Sequence, residues 1–372
     1  MKSSPSLRID FIILYVTGLL TVYGLLAIYA SSALKSLELY HQAHYFFQKQ
    51  ALAVLIGFFI IFLLYKIPFA WISHLALPIV LLSLILLGLV FVPGLYPKVG
   101  GAMRWLDIGG LRIQPGELAK LATVFFLAKN LSREKSDLNR FTSGLLPNIL
   151  FIALVCSLLI IQPDFGTAVL LMLVAFLMLF IAGLSRKTIL FSFAIGFTVL
   201  TAGIFAAPYR VKRLLSFLDP WSTLHTEGFQ IIQSFLAFQN GGMMGVGVGA
   251  SKQKLFFLPE AHTDFILSVI AEESGFLGTA FVILSFLLLV VCGIQTTLQQ
   301  NIRYRQVLSF GFTSLIALQS LFNIGVVMGV LPTKGIPLPL ISSGIASLLV
   351  FLFVIGIIAR LAKESNLDEQ RR

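Results

Sequence analysis

Charge is what this sequence has least of. Asp, Glu, Lys and Arg make up 12% of 372 residues, against 58% that are apolar, which leaves too little polar surface to coat a soluble globule. Cysteine is nearly missing. Cys156 and Cys292 both fall inside apolar segments, which excludes a disulfide framework and offers no metal spacing. Nucleotide signatures are lacking too: nothing matches G-x-x-x-x-G-K-[ST], and Gly245-Val-Gly247-Val-Gly249 follows no strand and opens no dinucleotide unit. Those glycines read as a flexible connection. The inner loops and both termini are short, so a cytosolic domain that could hold a nucleotide is not expected. ATP-driven transport is therefore not expected, and neither a nucleotide nor a nucleic-acid partner is foreseen.

What is present is a succession of apolar runs near the roughly 20 residues that span a bilayer. The first, Phe11 to Ala30, follows Lys2 and Arg8 and exceeds the usual signal-peptide h-region of about 7 to 15 residues, so it reads as an uncleaved first span. The full set of expected spans is 11–30, 48–65, 72–92, 115–129, 146–162, 166–183, 188–206, 264–292, 306–330 and 344–362. The fold class is an all-α polytopic membrane protein of ten transmembrane helices, a single integral membrane domain over 1–372. Its one long connection, 207–263, is expected on the exoplasmic side between helices 7 and 8.

An even number of spans puts both termini on one face. That face collects Lys2, Arg8, Lys66, Lys129, Arg133, Lys135, Arg140, Arg186, Lys187, Arg303, Arg305, Arg360 and Lys363, the excess that marks the cytoplasmic side. Yet Arg104, Arg112, Arg210, Lys212, Arg213, Lys252, Lys254 and Lys334 fall in the opposite connections, with Lys120 just inside a helix. Cations that break the topological bias suit an anionic lipid-linked phosphate, or, less specifically, lipid headgroups.

Several polar groups carry two readings. In Gln114-Pro-Gly-Glu117-Leu-Ala-Lys120, Glu117 complements a helix start, while Lys120 opposes the dipole and calls for either an i,i+3 pair with Glu117 or a phosphate. Asp164 suits a helix start. Pro332-Thr-Lys334-Gly-Ile-Pro337-Leu-Pro339 cannot be regular helix and belongs to backbone that lines a cavity or is buried in protein. Within 207–263, Phe229, Ile232 and Leu236 alternate with Gln230, Gln233, Ala237 and Asn240, an amphipathic surface helix that either caps the bundle or offers amides to a sugar.

The densest polar cluster is Glu260, His262 and Asp264, at the mouth of the eighth span. Ionisable residues at a membrane boundary are functional candidates by default. Ser268, Ala271, Gly275 and Gly278 continue the Asp264 face as a stripe of small residues, for close packing or for a lipid-tail groove. Glu272 lies about 80° round from Asp264, near enough to border the same groove.

These residues carry a resemblance. Gly101-Ala-Met-Arg104-Trp-Leu, Gln114-Pro-Gly-Glu117-Leu-Ala-Lys120, Gln162-Pro-Asp164-Phe-Gly-Thr, Phe217-Leu-Asp219-Pro-Trp221, Gln233-Ser, Leu258-Pro-Glu-Ala-His-Thr-Asp264-Phe and Leu331-Pro-Thr-Lys334-Gly occur in the order seen in the SEDS family (shape, elongation, division and sporulation). Those are polytopic peptidoglycan glycosyltransferases that include FtsW and RodA. Ser251-Lys-Gln-Lys-Leu and Pro332-Thr-Lys-Gly resemble the division and sporulation branch more than the RodA branch.

The resemblance implies an enzyme of the bacterial cytoplasmic membrane that polymerises lipid II into undecaprenyl-linked glycan by inverting hexosyl transfer. It implies that Asp264 is the base activating the acceptor hydroxyl, and that Glu260 and His262 shape its turn. The substrate-binding set is Arg104, Glu117, Lys120, Asp164, Arg210, Gln233, Lys252, Glu272 and Lys334. A divalent cation, magnesium or manganese, would share the work of stabilising pyrophosphate charge, although the sequence shows no dedicated cage. The expected partners are a class B penicillin-binding transpeptidase, other divisome proteins and membrane lipids. Gly116 replaces a common Ser, and Ile341-Ser-Ser-Gly-Ile-Ala-Ser347 lacks the family's usual aromatic and second glycine in that turn. A lipid II flippase and a non-catalytic division scaffold are the alternative functions.

Overall fold

The computed structural model describes residues 8–94, 104–108, 111–133, 141–224, 226, 228–254, 258 and 261–370. In chain order the elements are α1 (Ile9–Tyr40), α2 (Tyr45–Lys66), α3 (Phe69–His74), α4 (Ala76–Leu89), β1 (Leu106–Ile108), β2 (Leu111–Ile113) and α5 (Pro115–Leu131). A wide turn at Phe141–Leu145 leads into α6 (Leu146–Ile161). Then follow α7 (Phe165–Ile181), α8 (Arg186–Phe205), α9 (Pro208–Leu218), α10 (Phe229–Gly241), α11 (Ile266–Leu298), α12 (Arg303–Val327) and α13 (Ile345–Gln370).

Among the described residues, seven helices are long and apolar enough to cross a membrane: α1, α2, the pair α3–α4 taken as Phe69–Leu89, α8, α11, α12 and α13. α6 and α7 are shorter apolar helices. Nine of the expected spans fall on these rods, while the expected 115–129 span coincides with α5, which is not among them; hydrocarbon on all sides demands apolar residues, and intrahelical hydrogen bonds are the simplest way to satisfy the backbone there. Each helix buries a stripe and leaves the rest to lipid. Of its apolar stretch α13 buries 72% within the protein and α8 none, so α13 is central and α8 peripheral.

At one end of the bundle, fully buried Asp10 accepts hydrogen bonds from Tyr65 Oη (2.6 Å), Arg8 Nη2 (3.0 Å) and Asn366 Nδ2 (3.1 Å). Glu364 there pairs with Arg305 (2.7 Å) and Arg360 (2.8 Å). Arg8, Arg305 and Arg360, three of the cations expected on one face, thus sit against these two carboxylates, which compensates their charge in low-dielectric surroundings.

Three details depart from the expected spans. The 93–114 connection contains an antiparallel hairpin, with Leu106 opposite Ile113 and Ile108 opposite Leu111. The 207–263 connection contains α9 as well as the expected amphipathic helix. That helix, α10, is packed against α11 rather than laid on the surface: its buried face runs through Ile231, Ile232, Ser234, Ala237 and Gly241, one position off the Phe229 and Leu236 rhythm. Small residues win because a Cβ on Gly241 would stand only 1.9 Å from Ala271 O.

The eighth span is not one regular helix. Gly275 adopts φ 65°, ψ −158° and breaks α11, a conformation open to glycine alone at low cost. The freed backbone groups are taken up by the preceding loop. Val246 N donates to Glu272 O (2.9 Å), Gly247 N to Glu273 O (3.0 Å), and Phe276 N to Gly242 O (2.8 Å), so these peptide groups at the break keep partners. Gly245, Gly247 and Gly249 all have positive φ. The glycine-rich run is therefore a fitted plug for the break rather than a flexible tether. The small-residue stripe is used for this packing: Ser268 Oγ lies 2.7 Å from Ser234 Oγ, and a Cβ on Gly275 would stand 2.4 Å from Gly245 N.

Candidate functional site

Two polar constellations meet at the segment 331–344. The first is a cavity lined by Arg104, Asp164, Phe165, Tyr209, Arg210, Arg213, Thr333, Lys334 and Gly335. α9 delivers two of its cations. Pro208 occupies the first helical position, and Arg210 and Arg213, three apart, project from one face. Arg210 is aimed by hydrogen bonds from Nη1 to Gly203 O (2.6 Å) and from Nε to Tyr209 Oη (2.9 Å). Its guanidinium lies 4.7 Å from the centroid of the Phe165 ring, and Lys334 Nζ lies 4.6 Å from the same centroid. One aromatic ring therefore stands against two like charges, an arrangement that a bound anion would relieve. Burial, with Arg210 close by, pushes the Lys334 ammonium down to about 8. Arg104 also lines the cavity; its Nη2 donates to Pro163 O, and its buried Nε has no hydrogen-bond partner among the described residues.

Asp164 is the one carboxylate among the lining residues. It caps α7 by accepting from Thr167 N (3.4 Å). Four guanidinium or ammonium groups, those of Arg104, Arg210, Arg213 and Lys334, and a capped carboxylate make a site suited to an oxyanion of pyrophosphate type. They do not fit a divalent cation held by protein side chains alone. Among the described residues no group of three or more His, Cys, Asp and Glu comes together.

The second constellation is the turn 261–265 before α11. Asp264 is half-buried there, and its carboxylate lies against Gly335: a Cβ on Gly335 would fall 2.7 Å from Asp264 Oδ2. The turn is held by main-chain staples. Asn323 Nδ2 of α12 donates to Asp264 O (2.7 Å) and to Ile336 O (2.8 Å). Ser343 N donates to His262 O (2.9 Å), and Ser342 Oγ donates to Thr263 O (2.6 Å) while accepting from Leu338 N (2.8 Å). On α2, Gln50 closes the arrangement by donating to Ser342 O (3.2 Å) and accepting from Gly344 N (3.2 Å). The departure at Ile341-Ser-Ser-Gly-Ile therefore has a structural use: Ser342 and Ser343 tie the proline-rich segment to the Asp264 turn. Buried His262 packs on Phe46, with ring centroids 5.1 Å apart. Glu260 lies outside the described residues.

The remaining sequence-predicted binding residues lie away from the cavity. Lys120, 1% exposed, donates to Glu117 Oε1 and Gln319 Oε1, both at 2.7 Å. Gln319 Nε2 donates in turn to Pro337 O (2.9 Å), so this pair supports the proline-rich segment from within. Glu272, also 1% exposed, accepts from Ser251 Oγ, Lys252 N (3.2 Å), Gln253 N (3.2 Å) and Asn240 Nδ2 (3.3 Å). It clamps the loop that plugs the Gly275 break. Lys252 itself is exposed and contributes its backbone to that clamp. Gln233 is half-buried on α10.

Sequence reasoning passed over Phe165, Tyr209, Gly335, Gln50, Gln319 and Asn323. The three amides had a usable signal, since a polar amide inside an apolar span is commonly interhelical glue.

The FtsW/RodA/SpoVE model, described as "Cell cycle protein", matches residues 10–367. The probable peptidoglycan glycosyltransferase FtsW of Geobacter sulfurreducens is 39% identical over 355 residues, covering 95% of each chain. Stage V sporulation protein E of Bacillus subtilis is 34% identical over 366 residues, 98% of this chain and 99% of the other. A chain from a peptidoglycan synthase complex, solved for its coordination of polymerization and crosslinking, superposes with a TM-score of 0.77 at 30% identity, covering 95% of this chain and 97% of its own. Thermus thermophilus RodA shares the fold, with a TM-score of 0.68 at 24% identity over 95% of this chain and 96% of its own.

Proposed function

Because this chain belongs to the FtsW/RodA/SpoVE family, we propose that it is a peptidoglycan glycosyltransferase that polymerises lipid II into glycan strands during cell division. The observation that carries the reading is the contact of Asp264 with Gly335. It sets a half-buried carboxylate one residue from Lys334 and the cation-lined cavity.

In this reading the donor's pyrophosphate occupies the cavity among Arg104, Arg210, Arg213 and Lys334. The acceptor sugar hydroxyl meets Asp264. The carboxylate takes the hydroxyl proton as the oxygen attacks the anomeric carbon, the bond from that carbon to the pyrophosphate oxygen breaks, and the pyrophosphate leaves with the electron pair. Configuration inverts. The leaving group is a good one, so one positioned base suffices, while the cations stabilise the charge that develops on departure.

Ten membrane crossings complete the arrangement. They comprise the seven long helices, α6, α7 and the 17-residue α5, in a bacterial cytoplasmic membrane with both termini inside. The 207–263 connection, Asp264 and Lys334 then share the outer face, where a class B penicillin-binding transpeptidase would crosslink the product. The flippase alternative leans on charges inside the spans. Here Glu117, Lys120, Glu272 and Glu273 are each engaged by protein partners, which leaves less for a translocating headgroup.

The test is polymerisation of labelled lipid II in detergent by the purified chain with its transpeptidase partner, where transport has no meaning. Glycan ladders are expected. Movement of lipid II across liposomes with no ladder in detergent would replace the reading with the flippase.

A further inference from the structure

The end of the bundle that holds Asp10 and Glu364 gathers more positive charge than those two carboxylates offset. Glu364 is taken by Arg305 and Arg360, and Asp10 by Arg8. Lys66 and Lys363 are left over, since among the described residues neither forms an ion pair. Each rests on a ring instead. Lys66 Nζ stands 5.6 Å from the centroid of Phe62, and Lys363 Nζ stands 4.1 Å from that of Tyr65 while donating to Tyr65 O (3.3 Å). Arg8 is divided: its guanidinium binds Asp10, lies 4.6 Å from the Phe11 centroid, and belongs to a side chain that is 46% exposed. A ring face steadies a cation without cancelling its charge.

The three cations converge on one residue. Tyr65 donates to the Asp10 carboxylate that Arg8 holds, carries Lys363 on its ring and precedes Lys66 in the chain. Asp10 itself is fully buried and already accepts three hydrogen bonds. The start of α1, the end of α2 and the last turns of α13 thus present two ammonium groups and a guanidinium together. Such a set suits phosphate oxygens, to which it supplies charge-assisted donors.

The surroundings say which phosphate. Phe11 and Phe62, the rings under Arg8 and Lys66, are 55% and 56% exposed on the outer faces of α1 and α2. Trp71, just past Lys66, is 70% exposed, and tryptophan collects at headgroup level. The cations stand where an apolar wall ends.

We infer that Arg8, Lys66 and Lys363 bind the phosphate of an anionic phospholipid whose acyl chains lie along the exposed wall of α1 and α2. A phosphodiester without an amine brings the negative charge that the lysines lack, whereas a choline or ethanolamine headgroup adds a cation to a cluster already in excess. This inference does not depend on the polymerase reading. Phe46, at the other end of α2, is the residue that packs on His262, which puts Lys66 about 30 Å along the helix from the Asp264 turn.

The test is thermal unfolding of the purified chain in detergent, titrated with phosphatidylglycerol or with phosphatidylcholine of the same chains. A ligand of the folded state alone raises Tm with its concentration. Phosphatidylglycerol should raise it at the lower mole fraction. Lys66→Gln combined with Lys363→Gln should need about 30-fold more phosphatidylglycerol for the same shift, at about 1 kcal/mol for each lysine. Lys66→Gln alone should need about fivefold more, and because Lys66 is exposed this variant keeps the fold. Arg186→Gln with Lys187→Gln removes the same charge from exposed positions on α8 and should leave the titration unmoved. Soluble glycerol phosphate should give no shift.

Four results would each overturn the inference. Equal losses in the two double variants would make the attraction diffuse, and an equal response to phosphatidylcholine would mean that headgroup charge is not read. A shift from glycerol phosphate as large as that from phosphatidylglycerol would assign the cluster to free phosphate. Absence of any response to phosphatidylglycerol would hand it to an acidic protein segment.

Discussion

The carboxylate of Asp264 and the α-carbon of Gly335 are in direct contact, on two segments 71 positions apart in sequence: a Cβ at Gly335 would lie 2.7 Å from Asp264 Oδ2. No side chain fits between them. The same backbone that brings Lys334 to the cavity therefore sets where the Asp264 carboxylate stands.

Gly335→Ala should displace that carboxylate by the better part of an ångström without disturbing the core, since Gly335 is exposed. Misplacement on this scale costs up to about 10²-fold in rate. A kcat lowered roughly 10- to 100-fold with KM for lipid II nearly unchanged is the expected split, read from steady-state polymerisation. An unaltered kcat would remove the contact from the mechanism.

Lys334 predicts a pH limb. Burial and the neighbouring Arg210 hold its ammonium down to about 8, so it is charged below that pH and loses its charge as pH rises through it. The free-enzyme profile of kcat/KM should accordingly fall on the alkaline side near 8. Lys334→Arg, which stays protonated, should move that limb to higher pH. Lys334→Met should lower kcat/KM and abolish the limb.

Lys120 should matter through stability. Lys120→Met strands the buried Glu117 carboxylate, at a cost of about 3–5 kcal/mol. Adding Glu117→Gln should recover much of it. Thermal unfolding in detergent checks both, and a large KM effect in fully stable Lys120→Met would instead make Lys120 a ligand.

Glu272→Ala removes the acceptor for four donors from the 240–253 region. Each buried group left unpaired costs about 1–3 kcal/mol. The plug over the Gly275 break should loosen, seen as proteolytic cleavage or amide exchange in 242–254 at temperatures where the unaltered protein is protected. Full protection would contradict the clamp.

The sequence made the rods legible and the joints much less so. Hydropathy placed α2, α6, α7 and α12 within about three residues of their observed ends, because lipid imposes a composition on every turn of such a helix. Asp264 and Lys334 stood out because charge at a membrane boundary is costly. The break at Gly275 did not, since a glycine inside an apolar run reads as packing until the loop that fills it is known. Nor did Asn323 or Gln50, whose meaning lies in carbonyls and amides donated from other segments. Arg210 was legible as a cation out of place, but the ring of Phe165 beneath it was not. That pairing depends on α7 and α9 meeting in space.

The central claim is that Asp264 is the base for glycosyl transfer. The most direct measurement is the rate of glycan-strand formation from lipid II in detergent by Asp264→Asn, a change that keeps the shape and removes the proton acceptor. The transpeptidase partner is present, and the variant's thermal unfolding is matched to that of the unaltered protein. The account predicts no strands above background from a folded variant. Polymerisation at the unaltered rate would contradict it.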